Sequence, residues 1–259
     1  LAPTSSLPPL AGLCDFEAAQ RPGMSVAECV SWHKRNHYVL SRLHGLLTAR
    51  ITSEPLYELK TAFSHHAYLC SEHVTAIRVR VSEMREPPLG LDEIPHVALQ
   101  LLCDEVLCAP TTHTLLIGVY ELLVPELIAS FENYIGKTNP LVDAPSMRIA
   151  RFALLELTDM VEFGKKATSA LAASVWTNDA NCVGHDLATW QKLLNDCLLT
   201  AGGLAGQSPQ RQLEIAPLFS VKPFEFDPVP KRDARFHDSY NGGVNPEAFL
   251  YDERFAPQD

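Results

Sequence analysis

The chain has 259 residues, 46% of them apolar and 20% charged, and a formal net charge of −10. These are globular proportions, with length enough to bury a substantial core. The acidic balance, relieved only by short basic runs such as KKATS and PKRDAR, argues against a nucleic-acid binder, and no stretch reads as long and apolar enough to span a bilayer. The seven cysteines are scattered, form no CxxC and fall mostly inside helical patterns. They read as buried free thiols of a reducing, cytoplasmic compartment. The first residue is Leu1 rather than Met, which leaves an upstream piece or a removed targeting peptide open.

Residues 1–24 are Pro-rich and without period, and predict an extended arm. Ser25 then caps a long helix over 26–50. Its inward stripe is Val26, Val30, His33, His37, Leu40, His44 and Leu47, with the three histidines within about 40° of one another. A break at 52–55 opens a second helix, whose inner face is Leu59, His66, Cys70, His73 and Ile77. The turn is brief, so the two helices predict an antiparallel hairpin.

The pattern changes over 87–110, where PPLGLDE is turn-like and IPHVALQLLCDEVLCAP reads as a short helix stopped by Pro110. A third long helix follows from Thr111 with a kink expected before Pro125. It faces His113, Ile117, Tyr120 and Val124 inward, with Glu121 at the edge. The link TNPLVDAP leads to a fourth helix over 143–174, capped by Asp143, and these two predict a second hairpin. Its buried stripe is Ile149, Ala153, Glu156, Met160, Phe163 and Ala167, with Asp159 at its margin.

VWTNDANCVGHD reads as a loop, and LATWQKLLNDCLLTAGG as a short amphipathic helix ended by glycines. Residues 207–259 lack period but carry Phe219, Phe224, Phe226, Phe236, Tyr240, Phe249, Tyr251 and Phe255. Such aromatic content predicts a tail wrapped on its own bundle or on a second copy, making the protein a homo-oligomer through the tail. The organisation is therefore an arm (1–24), a bundle (25–176), a loop with a short helix (177–206) and an aromatic tail (207–259).

Carboxylates on an apolar seam need a cation, a proton or a hydrogen-bond partner. Inward imidazoles need partners for two ring nitrogens each. Imidazoles and carboxylates projecting from facing helices are also what a metal site in a bundle core requires.

Two helical hairpins joined by a crossover of roughly 24 residues resemble the ferritin-like superfamily over residues 26–174. The resemblance implies an all-α, ferritin-like four-helix bundle with a short crossover helix, a short C-terminal helix and arms at both ends. In that family inward Glu residues and ExxH motifs hold two irons, or iron and manganese, and the chemistry is that of an oxidase, an oxygenase or metal storage, with O2 as co-substrate. Carried over, Glu156-Leu-Thr-Asp159 stands where the fourth helix would have ExxH, with Asp for His. His66 and His73 represent the second helix, Glu121 the third, and His37 or His44 stands where the first would offer Glu. His113 joins this inward set. A single iron, manganese or zinc ion, held more by histidine than by carboxylate, suits these residues better than two irons, for an oxidase acting on a small organic substrate. The alternative is a metal-free ferritin-like scaffold or interaction subunit.

Overall fold

The computed structural model describes residues 7–84, 90–173, 180–233 and 235. Seven α-helices run through them, and no strand occurs among the described residues. A five-residue helix α1 (Phe16–Gln20) interrupts the expected arm, capped by Asp15, whose side chain accepts from the Ala18 N–H at 2.6 Å. The arm is docked on the molecule, because Asn139 Nδ2 donates to the Ala19 and Arg21 carbonyls at 2.9 and 2.8 Å. Gly23 permits that approach: a Cβ there would meet the Asn139 nitrogen at 2.5 Å.

Helix α2 (Val26–Arg50) starts at a capping box in which the Ser25 and Glu28 side chains each accept from the other's backbone N–H. That arrangement satisfies two donors the helix itself leaves unpaired. Helix α3 (Tyr57–Glu83) returns along α2 as the predicted hairpin. Helix α4 (Val97–Leu107) lies in the crossover and is capped by His96, whose Nδ1 accepts from the Ala98 N–H at 3.1 Å. Helix α5 (Thr112–Lys137) and helix α6 (Ala144–Ala173) form the second hairpin. Contacts of α3 with α6 and of α2 with α5 join the hairpins around a core that includes Leu40, Phe63, Ile77, Leu127, Phe131 and Leu157. Each such side chain, taken from water, contributes roughly 1.5–3 kcal/mol.

Where a kink is expected before Pro125, the helix passes through a π-helical stretch over Ile117–Leu123 and then resumes as α-helix with Pro125 in its first turn. Proline lacks an N–H and its ring crowds the carbonyl four residues earlier; a wider turn just before it relieves both problems without ending the helix. The loop read over 180–186 is helical, since α7 spans Ala180–Ala201. Burial of Trp190, Leu194 and Cys197 against α4 outweighs weak local propensity there. Finally, α5 is long and apolar enough to cross a membrane by length and composition, with mean hydropathy 1.6 and 67% of that window buried in the protein. Such burial is also that of a core helix.

The end of α7 is held by Arg35, which donates to the Leu204, Ala201 and Gly203 carbonyls at 2.6, 2.8 and 3.0 Å. Beyond it the chain runs as a strap over its own helices. The Glu105 side chain on α4, fully buried, accepts from the Leu218, Phe219 and Ser220 N–H groups at 2.8, 3.0 and 2.9 Å and from Ser220 Oγ at 2.6 Å. Phe219 packs on Trp190, and Phe224 lies under the Arg50 guanidinium. The strap ends at the α2–α3 turn. There the Lys231 N–H donates to the Thr52 carbonyl, Asp233 accepts from the Tyr57 N–H, and Arg235 pairs with Glu58 and Asp233. This part of the tail therefore packs on its own chain. Phe226 is exposed, while Phe236, Tyr240, Phe249, Tyr251 and Phe255 lie outside the described residues.

Candidate functional site

Helix α3 presents His66, Cys70 and His73 on one face, at spacings of four and three residues, and all three are buried. The π-helical stretch of α5 turns Tyr120 toward them, and its hydroxyl lies 2.7 Å from His66 Nδ1. Burial first, and the neighbouring His65 second, bring the His66 imidazole down to about 4, so the ring is neutral at physiological pH. Burial likewise raises the Tyr120 phenol. The contact is therefore a hydrogen bond between two neutral groups. Phe163 of α6 meets the His66 ring edge-on at 5.3 Å. Gly164 admits Tyr120, since a Cβ at that position would sit 2.2 Å from the Tyr120 Cβ.

One heptad further along α3, His73 Nε2 approaches Glu156 Oε2 of α6 to 2.7 Å, with side chains 7% and 33% exposed. The approach falls outside hydrogen-bond geometry, so Nε2 has no aligned partner. Burial lowers the His73 pKa, and Glu156 opposes that without reversing it. Between the two histidines, burial and then Glu156 push the Cys70 thiol up to about 12. A thiol so shifted is no nucleophile.

The other expected ligands lie apart from this column. Glu121 and Asp159 are exposed. His44 is half-buried, with Nδ1 2.9 Å from the Ala67 carbonyl oxygen. His113 is half-buried near the start of α5. His37 is buried beside the Leu91 end of the crossover, with Arg78 and Asp92 as its charged neighbours. Of the eight residues, the structure gathers His66, His73 and Glu156.

The column fits poorly to the iron or manganese that the resemblance implies. His66 and His73 are separated by a rise of about 10.5 Å along the helix, whereas ligands of one ion stand about 2.0–2.2 Å from it. Among the described residues, no group of three or more His, Cys, Asp or Glu side chains is placed to hold an ion. Burial shifts His66 and Tyr120 so that passing a proton from the phenol to the imidazole is strongly uphill, and the column's chemistry is that of a neutral hydrogen bond holding α3, α5 and α6 in one register.

Buried carboxylates stand outside this column at Glu54, Glu105 and Asp143, of which the sequence reading marked only Asp143, as a helix cap. Glu105 falls on the stripe Ala98, Leu102, Glu105, Ala109, whose helical spacing could have marked it as inward. Asp143 is buried as well as being the expected cap. It accepts from Tyr134, Thr138, Arg80 and Ser146. Burial pushes its carboxyl up, but those bonds outweigh burial and hold it below the usual carboxylate range.

No family model matches the chain, and neither does any curated protein or solved structure.

Proposed function

We propose that the protein is a non-catalytic scaffold or interaction subunit built on a ferritin-like bundle, with its central polar column acting as a lock between helices. The observation carrying this reading is the commitment of the central groups to one another. His66 is engaged by Tyr120, His73 faces Glu156, and Glu121 and Asp159 point to solvent. An oxidase centre would need these carboxylates and imidazoles to converge on one point.

A partner surface is available on the outer side of α6, where Phe152 and Leu155 are 50% and 62% exposed. Apolar residues this exposed at adjacent turns suit an interface. The full chain, loaded with ferrous iron or manganese and desalted, is expected to keep only traces of metal and to consume no O2. Light scattering is expected to report a mass above that of one chain. Stoichiometric iron that is lost in Glu156→Ala, with O2 uptake, would overturn the proposal in favour of a metal oxidase.

A further inference from the structure

Among the described residues, five of the ten buried side-chain polar atoms without a hydrogen-bond partner belong to a single turn of α2. They are both ring nitrogens of His33, both ring nitrogens of His37, and Nδ2 of Asn36. The two histidines are 1% and 2% exposed, and Asn36 1%. Leaving a buried donor or acceptor unmet costs about 1–3 kcal/mol, so two imidazoles without hydrogen bonds one turn apart on α2 call for an explanation.

The surroundings narrow it. The charged neighbours of His33, Asp143 and Arg80, are paired with each other at 3.1 Å. Those of His37, Arg78 and Asp92, are likewise paired at 3.1 Å, and the Leu91 carbonyl approaches the ring outside hydrogen-bond geometry. Neither ring is offered a free carboxylate that would favour its cation, and burial keeps both neutral, with lone pairs available. Asn36 accepts from Ser130 Oγ at 2.9 Å, and Ser130 in turn accepts from Trp32 Nε1 at 2.8 Å. That leaves the Asn36 amide N–H2 as a donor in need of an acceptor.

Two neutral histidines at i and i+4 lie on one helix face, the spacing with which a single helix chelates a transition ion. We infer that His33 and His37 bind one borderline divalent ion of the zinc, nickel or cobalt type, with water completing its coordination and Asn36 Nδ2 donating to that water. Imidazole nitrogen suits these ions, whereas iron in an oxygen-activating centre draws on carboxylates. The site lies on α2 away from the His66–Glu156 column and supplies stability rather than turnover. It does not rest on the function proposed above, and failure to bind zinc leaves that reading standing.

The test uses the full chain, stripped with chelator and titrated with zinc alone or cobalt alone. One zinc per chain is expected, with a rise in Tm and cobalt d–d absorption. His33→Gln and His37→Gln are each expected to weaken zinc binding by about tenfold or more, while the exposed His65→Gln leaves it unchanged. A folded wild-type chain that takes up no zinc overturns the inference, as does undiminished binding in both variants. Should the variants fail to fold, zinc X-ray absorption on the wild type decides: scattering from two imidazoles supports the site, and from one or none overturns it.

Discussion

Neutral buried imidazoles tie stability to pH at the level of single residues. Burial takes His33 from an ordinary value of 6.5 down to about 4, and His66 moves the same way to about 4. The unfolded chain therefore binds protons that the native chain refuses. Stability is fully present above the ordinary value, declines as pH falls from about 6.5 toward 4, and levels off below that. Each histidine is worth up to roughly 3 kcal/mol across this window. In the presence of chelator, urea midpoints should fall steadily between about pH 7 and pH 4.5. A midpoint constant over that range would mean that both rings take up protons in the native state. Asp143 acts in the same direction at lower pH: its depressed carboxyl adds stability above its unfolded value, and that contribution is lost in more acid solution.

At the scale of helices, contact between α5 and α6 depends on one missing side chain. Gly164 sits directly against Tyr120, and Gly164→Ala would drive a methyl group into the Tyr120 Cβ. Neither atom belongs to a flexible side-chain end, so relief requires the helices to separate. The expected loss is about 2–3 kcal/mol or more, read by denaturant unfolding, together with loss of the Tyr120–His66 bond in NMR spectra. Wild-type stability in this variant would show that the two helices are not so closely apposed. The four long helices were legible because apolar stripes recur at helical spacing and because Ser25 and Asp143 mark two of their starts. The partner of Tyr120 was not. Each residue turns a helix by 100°, and the π-helical stretch sets the height at which the inward Tyr120 meets His66, while Glu121, expected at the edge, faces solvent. Histidines on α2 and α3 were rightly placed inward, but periodicity carries no information about height along the bundle, and height decides whether ligands meet.

Across the whole molecule, Glu105 links the irregular strap to the helical body. Three successive N–H groups converge on its carboxylate, an arrangement that one amide oxygen cannot reproduce. Glu105→Gln would set an amide N–H2 against those donors, and is expected to cost about 1–3 kcal/mol and to speed tryptic cleavage at the exposed Arg211 of the strap. Cleavage and stability equal to wild type would show that the strap is held by Phe219 and Phe224 instead. The aromatic content of the tail was readable as a sign of packing, but not its path, because extended chain has no period to betray which side chains face inward. That path has a consequence for the order of events during synthesis. The Tyr57–Asp233 bond joins residues 176 positions apart, and chains are made from the N-terminus. The α2–α3 hairpin and α4 can associate well before the strap emerges from the ribosome. During that interval the face of α4 bearing Glu105 remains uncovered, so the nascent bundle presents an acidic group amid apolar surface to chaperones until its own late-made segment displaces them.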